Sequence, residues 1–442
     1  MSGFEQRRTA VAGGLAALRG PVSLRRDGSN LFRERARGGK GRLDLRAFTH
    51  VLKVDREHGW VDTEAAITYE DLVSTTLACG AMPAVVPELK TITPGGAAAG
   101  VALEATSFRQ GLMHETVLEL EILLADGSIV TATADNEHGE LFHGFPNSYG
   151  TLGYALRTKA RTLPVKRFVM VEREAHQDPA RFFLDLESHC HGDADFIDAV
   201  VFASDEIYLN LGWFTERAPG TSDYGLEHIY YRSIRDRPVD YLTTHDYLWR
   251  WDTDLFWASK KFLAQQPLVR RLYGRSGLGS RTYTRLMRLN QRLGFTRFLD
   301  RLRGLKSEAV IQDVAIPVGQ AAEFLAFLQR QVGILPIWIC PLRPRAGYRF
   351  PLFPLAPGQL YVNFGFWDVL RSREPRSPGH VNRLVERKAR ELGGIKSLYS
   401  DSYFPEDEFW EIYNRPAWER LKARYDPDRR LGDLYRKCVL RA

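Results

Sequence analysis

The stretch PELKTITPGGAAAGVALEATSFRQG, Pro87 to Gly111, holds the residues best suited to chemistry on a charged small molecule. Gly95, Gly96 and Gly100 lack Cβ atoms, so the backbone of Thr93, Pro94 and the glycines can lie against a pyrophosphate whose charge N–H groups offset. The same eight letters, TPGGAAAG, also describe a tight turn leading into a helix packed closely on a sheet. Two flanking signals bear on the choice. Upstream, Arg25, Arg26, Asp27, Gly28, Ser29 and Asn30 form a basic, hydroxyl-bearing turn after a strand, suited to a second phosphate loop. Downstream, Thr106, Ser107 and Arg109 lead to another bare position, Gly111. No G-x-G-x-x-G follows a strand, GRSGLGSR (274–281) has no strand before it, and a Walker lysine is missing.

Positioning such loops takes a mixed scaffold. PVSLRR and HVLKVD read as strands, and Thr68 with Asp71 starts a helix TYEDLVSTTLACG that stops at Gly80. TVLELEILLADGSIVTATA reads as a hairpin turning at Asp126-Gly127, with Leu118, Leu120, Ile122 and Leu124 on one face. A strand GTLGYALRTKARTLP closes this region near Pro164. The pattern is α+β with strand pairs, not a regular βαβ series. From Phe168 helical segments lengthen and aromatics thicken, with Trp213, Trp249, Trp251, Trp257, Trp338 and Trp367 all in this part. We expect three units: 1–166, 167–385 with an aromatic interior, and a C-terminal segment 386–442 that returns to the first.

With 442 residues, 44% of them hydrophobic and 26% charged, the composition is that of an ordinary globular protein. No apolar run approaches the ~20 residues needed to cross a bilayer, and the N-terminus has no signal-peptide core. Cys79, Cys190, Cys340 and Cys438 are scattered, which argues against a disulfide framework or a zinc site and for a reducing cytosol; no metal is expected. A net charge of +7 favours anionic partners.

The order of these parts, extended by RQGLMHETVLELEILLADGS and GELFHGFPNSYGTLGYALRTKARTLP, resembles the FAD-binding domain of the vanillyl-alcohol-oxidase (PCMH-type) superfamily. LPIWICPLRP, QLYVNFGFW, LYSDSYFPEDEFWEIYN and DLYRKC further resemble the Diminuto-type sterol side-chain reductases and their bacterial relatives. The resemblance implies FAD between two subdomains, with its pyrophosphate on the 93–100 loop. Thr93, Pro94, Gly95, Gly96, Gly100, Ser107, Gly111, Thr116 and Val117 would line it, the 25–30 loop would lie opposite, and Gly150–Gly153 would pack nearby. The first loop has no histidine for covalent attachment, so noncovalent FAD is expected, with NADPH as the donor implied by the family. Phe108 stands where the sterol enzymes carry a histidine, and their N-terminal membrane segment has no counterpart here.

Reduction of an isolated C=C bond proceeds by protonating the less substituted carbon and adding hydride to the tertiary cation. That takes a proton donor, a flavin and aromatic faces. Tyr399, Asp401 and Tyr403 in SLYSDSYF are the candidate donors, and Trp338, Cys340 and Arg343 the candidate lining; each also reads as an ordinary loop or core residue. His114 and His143 read as structural. Among bacterial relatives are reductases of a methylene branch on a phospholipid acyl chain, giving methyl-branched acids of the tuberculostearic type. A lipid of this kind is the expected substrate, with sterol reduction or flavin oxidation of an alcohol, sugar or lactone as the alternatives, and a non-catalytic membrane scaffold as the nonenzymatic reading. Between Arg270 and Arg303 ten arginines face one acid, Asp300; Arg281, Arg285, Arg288 and Arg292 share a helical face beside Leu286, Leu289 and Leu293. That face suits either an anionic membrane surface or plain solvent; nucleic acid is the weaker option, with no binding module beside it. A cytoplasmic protein, peripheral at the membrane, is the resulting expectation.

Overall fold

The computed structural model describes residues 3–25, 32–33, 41–345, 347, 349–374 and 376–441, apart from the side chains of 291, 292, 295–297 and 301. Arg26, Asp27, Gly28, Ser29 and Asn30 lie outside the described residues, as does the side chain of Arg292.

Two antiparallel sheets organise the chain. The first has the order Val51–Asp55, Trp60–Glu64, Tyr154–Pro164, Val117–Leu123, Ile129–Ala132, with Ala81–Pro83 pairing the far end of Tyr154–Pro164. The turn residues act as their chemistry dictates. Gly127 takes φ 94 and Asp126 accepts from the Ser128 N–H at 2.9 Å, closing the hairpin. Thr68 caps the helix Tyr69–Ala78 by accepting from the Asp71 N–H at 3.2 Å. The expected hairpin face needs one correction. Leu120, Ile122 and Leu124 are buried, but a bulge between Val117 and Glu119 turns Val117 inward and leaves Leu118 exposed.

The second sheet has eight strands: Val239–Thr243, Phe168–His176, Glu206–Thr215, Phe196–Ala203, Ile337–Leu342, Tyr361–Ser372, Lys306–Pro317 and Ile395–Lys396. Because side chains alternate, in-register partners share a face. One face carries Ala199, Val201, Ile337, Ile339, Phe364, Val314 and Ile316, and is covered by the helices Pro179–His189, Ala321–Phe327 and His380–Glu391. The opposite face carries Asp198, Val200, Trp338, Cys340, Asn363, Gly365, Asp313, Ala315 and Trp367, by the register Val200↔Trp338↔Gly365↔Asp313. The apolar members of that face pack into one core with the first sheet and the C-terminal helices.

The C-terminal helices Glu406–Ile412, Arg415–Tyr425 and Leu434–Cys438 are tied to the first half by directed bonds. Trp418 Nε1 donates to Thr151 Oγ1 at 3.2 Å, Lys422 Nζ to the Thr151 carbonyl at 2.6 Å, and Lys437 Nζ to the Tyr149 carbonyl at 2.6 Å.

The basic segment is three helices rather than one, Pro267–Gly277, Ser280–Leu293 and Phe295–Leu302, the last two separated by Gly294 at φ 64. Two members of its charge count are not surface groups. Arg270 is buried in a bidentate pair with Asp254, and Asp300 is buried and accepts from Arg371 Nε at 2.9 Å. Among the described residues no helix is long and apolar enough to cross a membrane.

Candidate active site

The glycine stretch forms a short helix, Pro94–Ala99, against the strand Tyr154–Pro164. Thr93 is extended, its hydroxyl accepts from the Gly96 N–H at 3.2 Å, and Pro94 takes the first helical position, where its missing N–H costs nothing. Gly95 is set by packing: its N–H bonds the Ala65 carbonyl at 2.9 Å, and a Cβ there would stand 2.8 Å from the Ala65 Cβ and 2.9 Å from its oxygen. Gly96 is exposed. The N–H groups of Gly95, Gly96 and Ala97 all have acceptors within the protein, so a phosphate here would share donors already in use. Both meanings of the stretch therefore apply, close packing at Gly95 and a bare outer surface at Gly96.

Along the C-terminal end of this helix runs the loop 147–150. The Asn147 N–H bonds the Gly100 carbonyl at 3.1 Å and the Tyr149 N–H the Ala99 carbonyl at 2.8 Å. Asn147 (φ 62) and Tyr149 (φ 50) are both left-handed, a conformation that costs a non-glycine residue on the order of 1 kcal/mol. Asn147 Oδ1, Ser148 Oγ and the Tyr149 hydroxyl are buried with no partner among the described residues, and so is Glu88 Oε1. Each orphaned group costs roughly 1–3 kcal/mol unless a ligand or water meets it. Arg33 stacks 4.6 Å above the Tyr149 ring and donates to the Leu398 carbonyl, so a residue from early in the chain reaches this place too. PNSYG passed unremarked in the sequence apart from its glycine; the signal was an Asn beside two hydroxyl residues and a glycine.

From the second sheet Asp313 faces the same region. Asn363 Nδ2 donates to its carboxylate at 2.6 Å, and Tyr399 adjoins it. Gly365 makes the room: a Cβ there would lie 2.8 Å from Asp313 Oδ1 and 3.0 Å from the Trp338 ring. Burial pushes the Asp313 carboxyl up to about 6, against Asn363 and Tyr399, which lower it. Burial likewise raises Tyr399, with Asp313 adding to the effect, and raises Glu88, with Glu104 and Asp313 adding to it. Tyr149 is raised by burial while Arg33 opposes. Asp313, Tyr399, Tyr149 and Glu88 thus form one electrostatically coupled cluster drawn from all three parts of the chain.

A second buried network holds the neighbouring wall. Asp198 accepts from Arg250 at 2.8 Å, Asn210 at 2.8 Å, Trp251 Nε1 at 3.2 Å and Trp338 Nε1 at 3.3 Å, and Arg250 also reaches Glu104 at 3.1 Å. Four donors on one carboxylate fix both indoles. From Trp338 an aromatic run continues through Phe256 (5.7 Å) to Trp257 (5.6 Å), and Trp257 stacks on Trp367 at 6.4 Å.

The structure thus brings together the 93–100 helix, Tyr399, Trp338 and Cys340, whose thiol is raised well above its usual range by burial and cannot serve as a thiolate at neutral pH. The other named residues have local partners. Arg25 is exposed, 3.9 Å from Asp44. Thr106 donates to the Ala84 carbonyl at 2.7 Å, Ser107 Oγ accepts from the Glu104 N–H at 3.0 Å, and Thr116 donates to the Met113 carbonyl at 2.7 Å. Val117 opens a core strand. Arg109 reaches the Gly192 carbonyl at 2.8 Å, and Arg343 lies 3.4 Å from His191. A Cβ would strike the Glu115 carboxylate at Gly111 and the Ile122 side chain at Gly153. Asp401 lies 3.4 Å from Arg441, which also donates to the Tyr403 hydroxyl at 3.1 Å, so these two form a pair apart from the Asp313–Tyr399 contact. His114 is buried edge-on to Phe350 and held neutral, its pKa lowered to about 3.

Comparison with known proteins bears on what this arrangement holds. The family model described as FAD binding domain matches residues 14–133. Human Delta(24)-sterol reductase is 26% identical over 419 residues, covering 88% of this chain and 75% of the relative. The Delta(24)-sterol reductase of Pisum sativum is 24% identical over 439 residues, covering 90% and 76%. Cytokinin dehydrogenase 7 of Oryza sativa subsp. japonica is 28% identical over 128 residues, covering 29% of this chain and 24% of the relative. The chain thus carries a match to an FAD binding domain in its first third and is similar to Delta(24)-sterol reductases along most of its length. The residues present fit a flavin dinucleotide: the bare face at Gly96 and the partnerless polar atoms of 147–149 are what a polar ligand laid along that helix would need.

Proposed function

We propose that this chain is a PCMH-type flavin oxidoreductase that reduces an isolated C=C bond of a lipid with NADPH, and that Asp313 and Tyr399 form its proton-donating pair. The carrying observation is a carboxyl pushed up to about 6, beside a half-buried tyrosine, on the sheet face that also bears Trp338 and Trp367. An alkene is a poor base, so its acid must be held protonated at a higher pH than a free carboxyl allows; burial moves Asp313 in that direction. FAD, held by the 93–100 helix and the 147–149 groups, would supply the hydride that it receives from NADPH. Asp313 gives its proton to the less substituted carbon, and the bond's electron pair forms the new C–H bond. The tertiary cation left on the other carbon faces indole rings, whose electron-rich surfaces tolerate it. Tyr399 orients the carboxyl and lies on the route by which the proton is replaced.

Two substrates meet this chemistry. A methylene branch on a phospholipid acyl chain and a sterol side-chain alkene both give a tertiary cation on protonation. The acyl chain is our first choice, on the resemblance to bacterial reductases; the relatives named Delta(24)-sterol reductase favour the sterol. Expression in a host that makes methylene-branched lipid, followed by fatty-acid analysis, separates them: methyl-branched acid supports the first, and unchanged methylene lipid with flavin-loaded protein removes it. Anaerobic mixing with NADPH tests the reaction class, since an alcohol oxidase's flavin would bleach only with its own substrate.

A further inference from the structure

Three consecutive helices leave large apolar side chains in solvent, each as a pair four residues apart: Leu268 and Leu272, Leu289 and Leu293, Phe298 and Leu302. With Leu263 they make up seven of the thirteen exposed large hydrophobic residues among those described, and Leu272 is 86% exposed. The helices are firmly seated, so this exposure is not fraying. At 100° per residue Arg270 lies opposite the pair 268/272, and it is the residue buried against Asp254; Asp300 lies opposite 298/302, and it is the one bonded to Arg371. In the middle helix Tyr283 is fully buried against Phe262 at 5.3 Å, away from Leu289 and Leu293. Each helix is thus anchored by its inner face and turns its leucines or phenylalanine outward.

The charge around these pairs has one sign. From 255 to 299 the sequence contains no Asp or Glu and ten Lys and Arg. Arg275 and Arg281 are paired to Asp223 and Glu70 of neighbouring elements, while Arg271, Arg285 and Arg303 are exposed. A second copy of the chain would meet this surface with like charge, and no nucleic-acid-binding module accompanies it. Apolar pairs rimmed by arginine match the boundary between acyl chains and anionic headgroups. The patch also adjoins the aromatic wall: Trp367, two residues from Gly365 on the reactive sheet face, packs on the cluster formed by Leu255, Leu278 and Tyr283 under these helices.

We propose that the 263–302 surface docks the protein on an anionic lipid bilayer, with the three apolar pairs inserted at the headgroup level and the aromatic wall at Trp367 held on the membrane side. The inference does not depend on the reaction, and its test contains no alkene and no nicotinamide. The full chain, loaded with FAD, is floated with vesicles of equal parts phosphatidylcholine and phosphatidylglycerol, and with phosphatidylcholine alone. Binding to the anionic vesicles is expected, weakened by salt, with roughly tenfold or greater loss in the Leu272→Ser, Leu293→Ser, Phe298→Ser triple variant. An Arg271→Glu, Arg285→Glu variant is expected to lose the preference for anionic vesicles. All five side chains are exposed, so flavin content and thermal unfolding should match wild type. Wild-type protein that stays in solution, or a triple variant that floats equally well, overturns the proposal. A wild-type dimer that becomes monomeric in the triple variant would assign the surface to a second copy instead.

Discussion

Asp313 is the residue on which the proposed chemistry turns, and three measurements address it. Asp313→Asn is expected to lower alkene reduction by about 10²–10⁴-fold while NADPH still reduces the flavin, the range over which a positioned acid acts. Wild-type turnover should fall as pH rises through about 6, and that limb should vanish in the variant. Stability should respond in the same sense. The carboxyl's ordinary value of 3.8 is raised in the fold to about 6, so between those values the folded chain binds more protons than the unfolded one. Stability from this group is therefore lost as pH rises through that window, roughly 3 kcal/mol, and Asp313→Asn should melt higher than wild type at pH 8 and not at pH 4. Tyr399→Phe should slow proton delivery yet retain a pH limb, since the carboxyl stays. Tyr399 was legible in the sequence because SLYSDSYF concentrates hydroxyls and an acid; Asp313 was not, because IQDVAIP reads as a strand with polar residues turned to solvent.

At the scale of elements, the Pro94–Ala99 helix and the 147–150 loop behave as one unit joined by two backbone bonds. Gly95→Val would drive a side chain into Ala65 and should destabilise the protein by roughly 1–3 kcal/mol, as overpacking does, with loss of flavin following from loss of fold. Ser148→Ala is the informative contrast. It removes a buried hydroxyl that has no partner among the described residues, so the flavin-free protein should melt at the same temperature or higher. FAD affinity should fall about tenfold if the hydroxyl bonds the cofactor, measured by fluorescence titration. The cap, hairpin turn and helix stops were readable because Thr, Asp and Gly act on their immediate neighbours. The bulge at Val117–Glu119 was not, since it answers to the strand Tyr154–Pro164 beside it.

Across the whole molecule, the C-terminal helices close the cluster by tying Thr151 and Tyr149 to Lys422 and Lys437. Lys422 is buried with Asp426, and Lys422→Met would leave that carboxylate without its partner, a change that typically costs about 3–5 kcal/mol. Thermal melting should register it, and because Thr151 adjoins the 147–150 loop, flavin retention should fall in the same variant even below the melting temperature. The 93–100 helix, the Asp313–Tyr399 contact and the aromatic wall come from widely separated stretches, so the candidate site exists only when all of them are folded together.

Local rules were enough to read off most strands of the first sheet, the capped helix, the bare glycine stretch and the amphipathic basic segment, since each depends on residues a few positions apart. The eight strands from Phe168 on, where helical segments were expected, were not read. Assembly alone decided which acid is buried and which leucines stay out. The register Val200↔Trp338↔Gly365↔Asp313 joins four strands distant in the chain, and that pairing withdraws the Asp313 carboxyl from most of the solvent and places it beside Tyr399. A side chain's pKa and exposure are set by what surrounds it in space, and chain order does not carry that information.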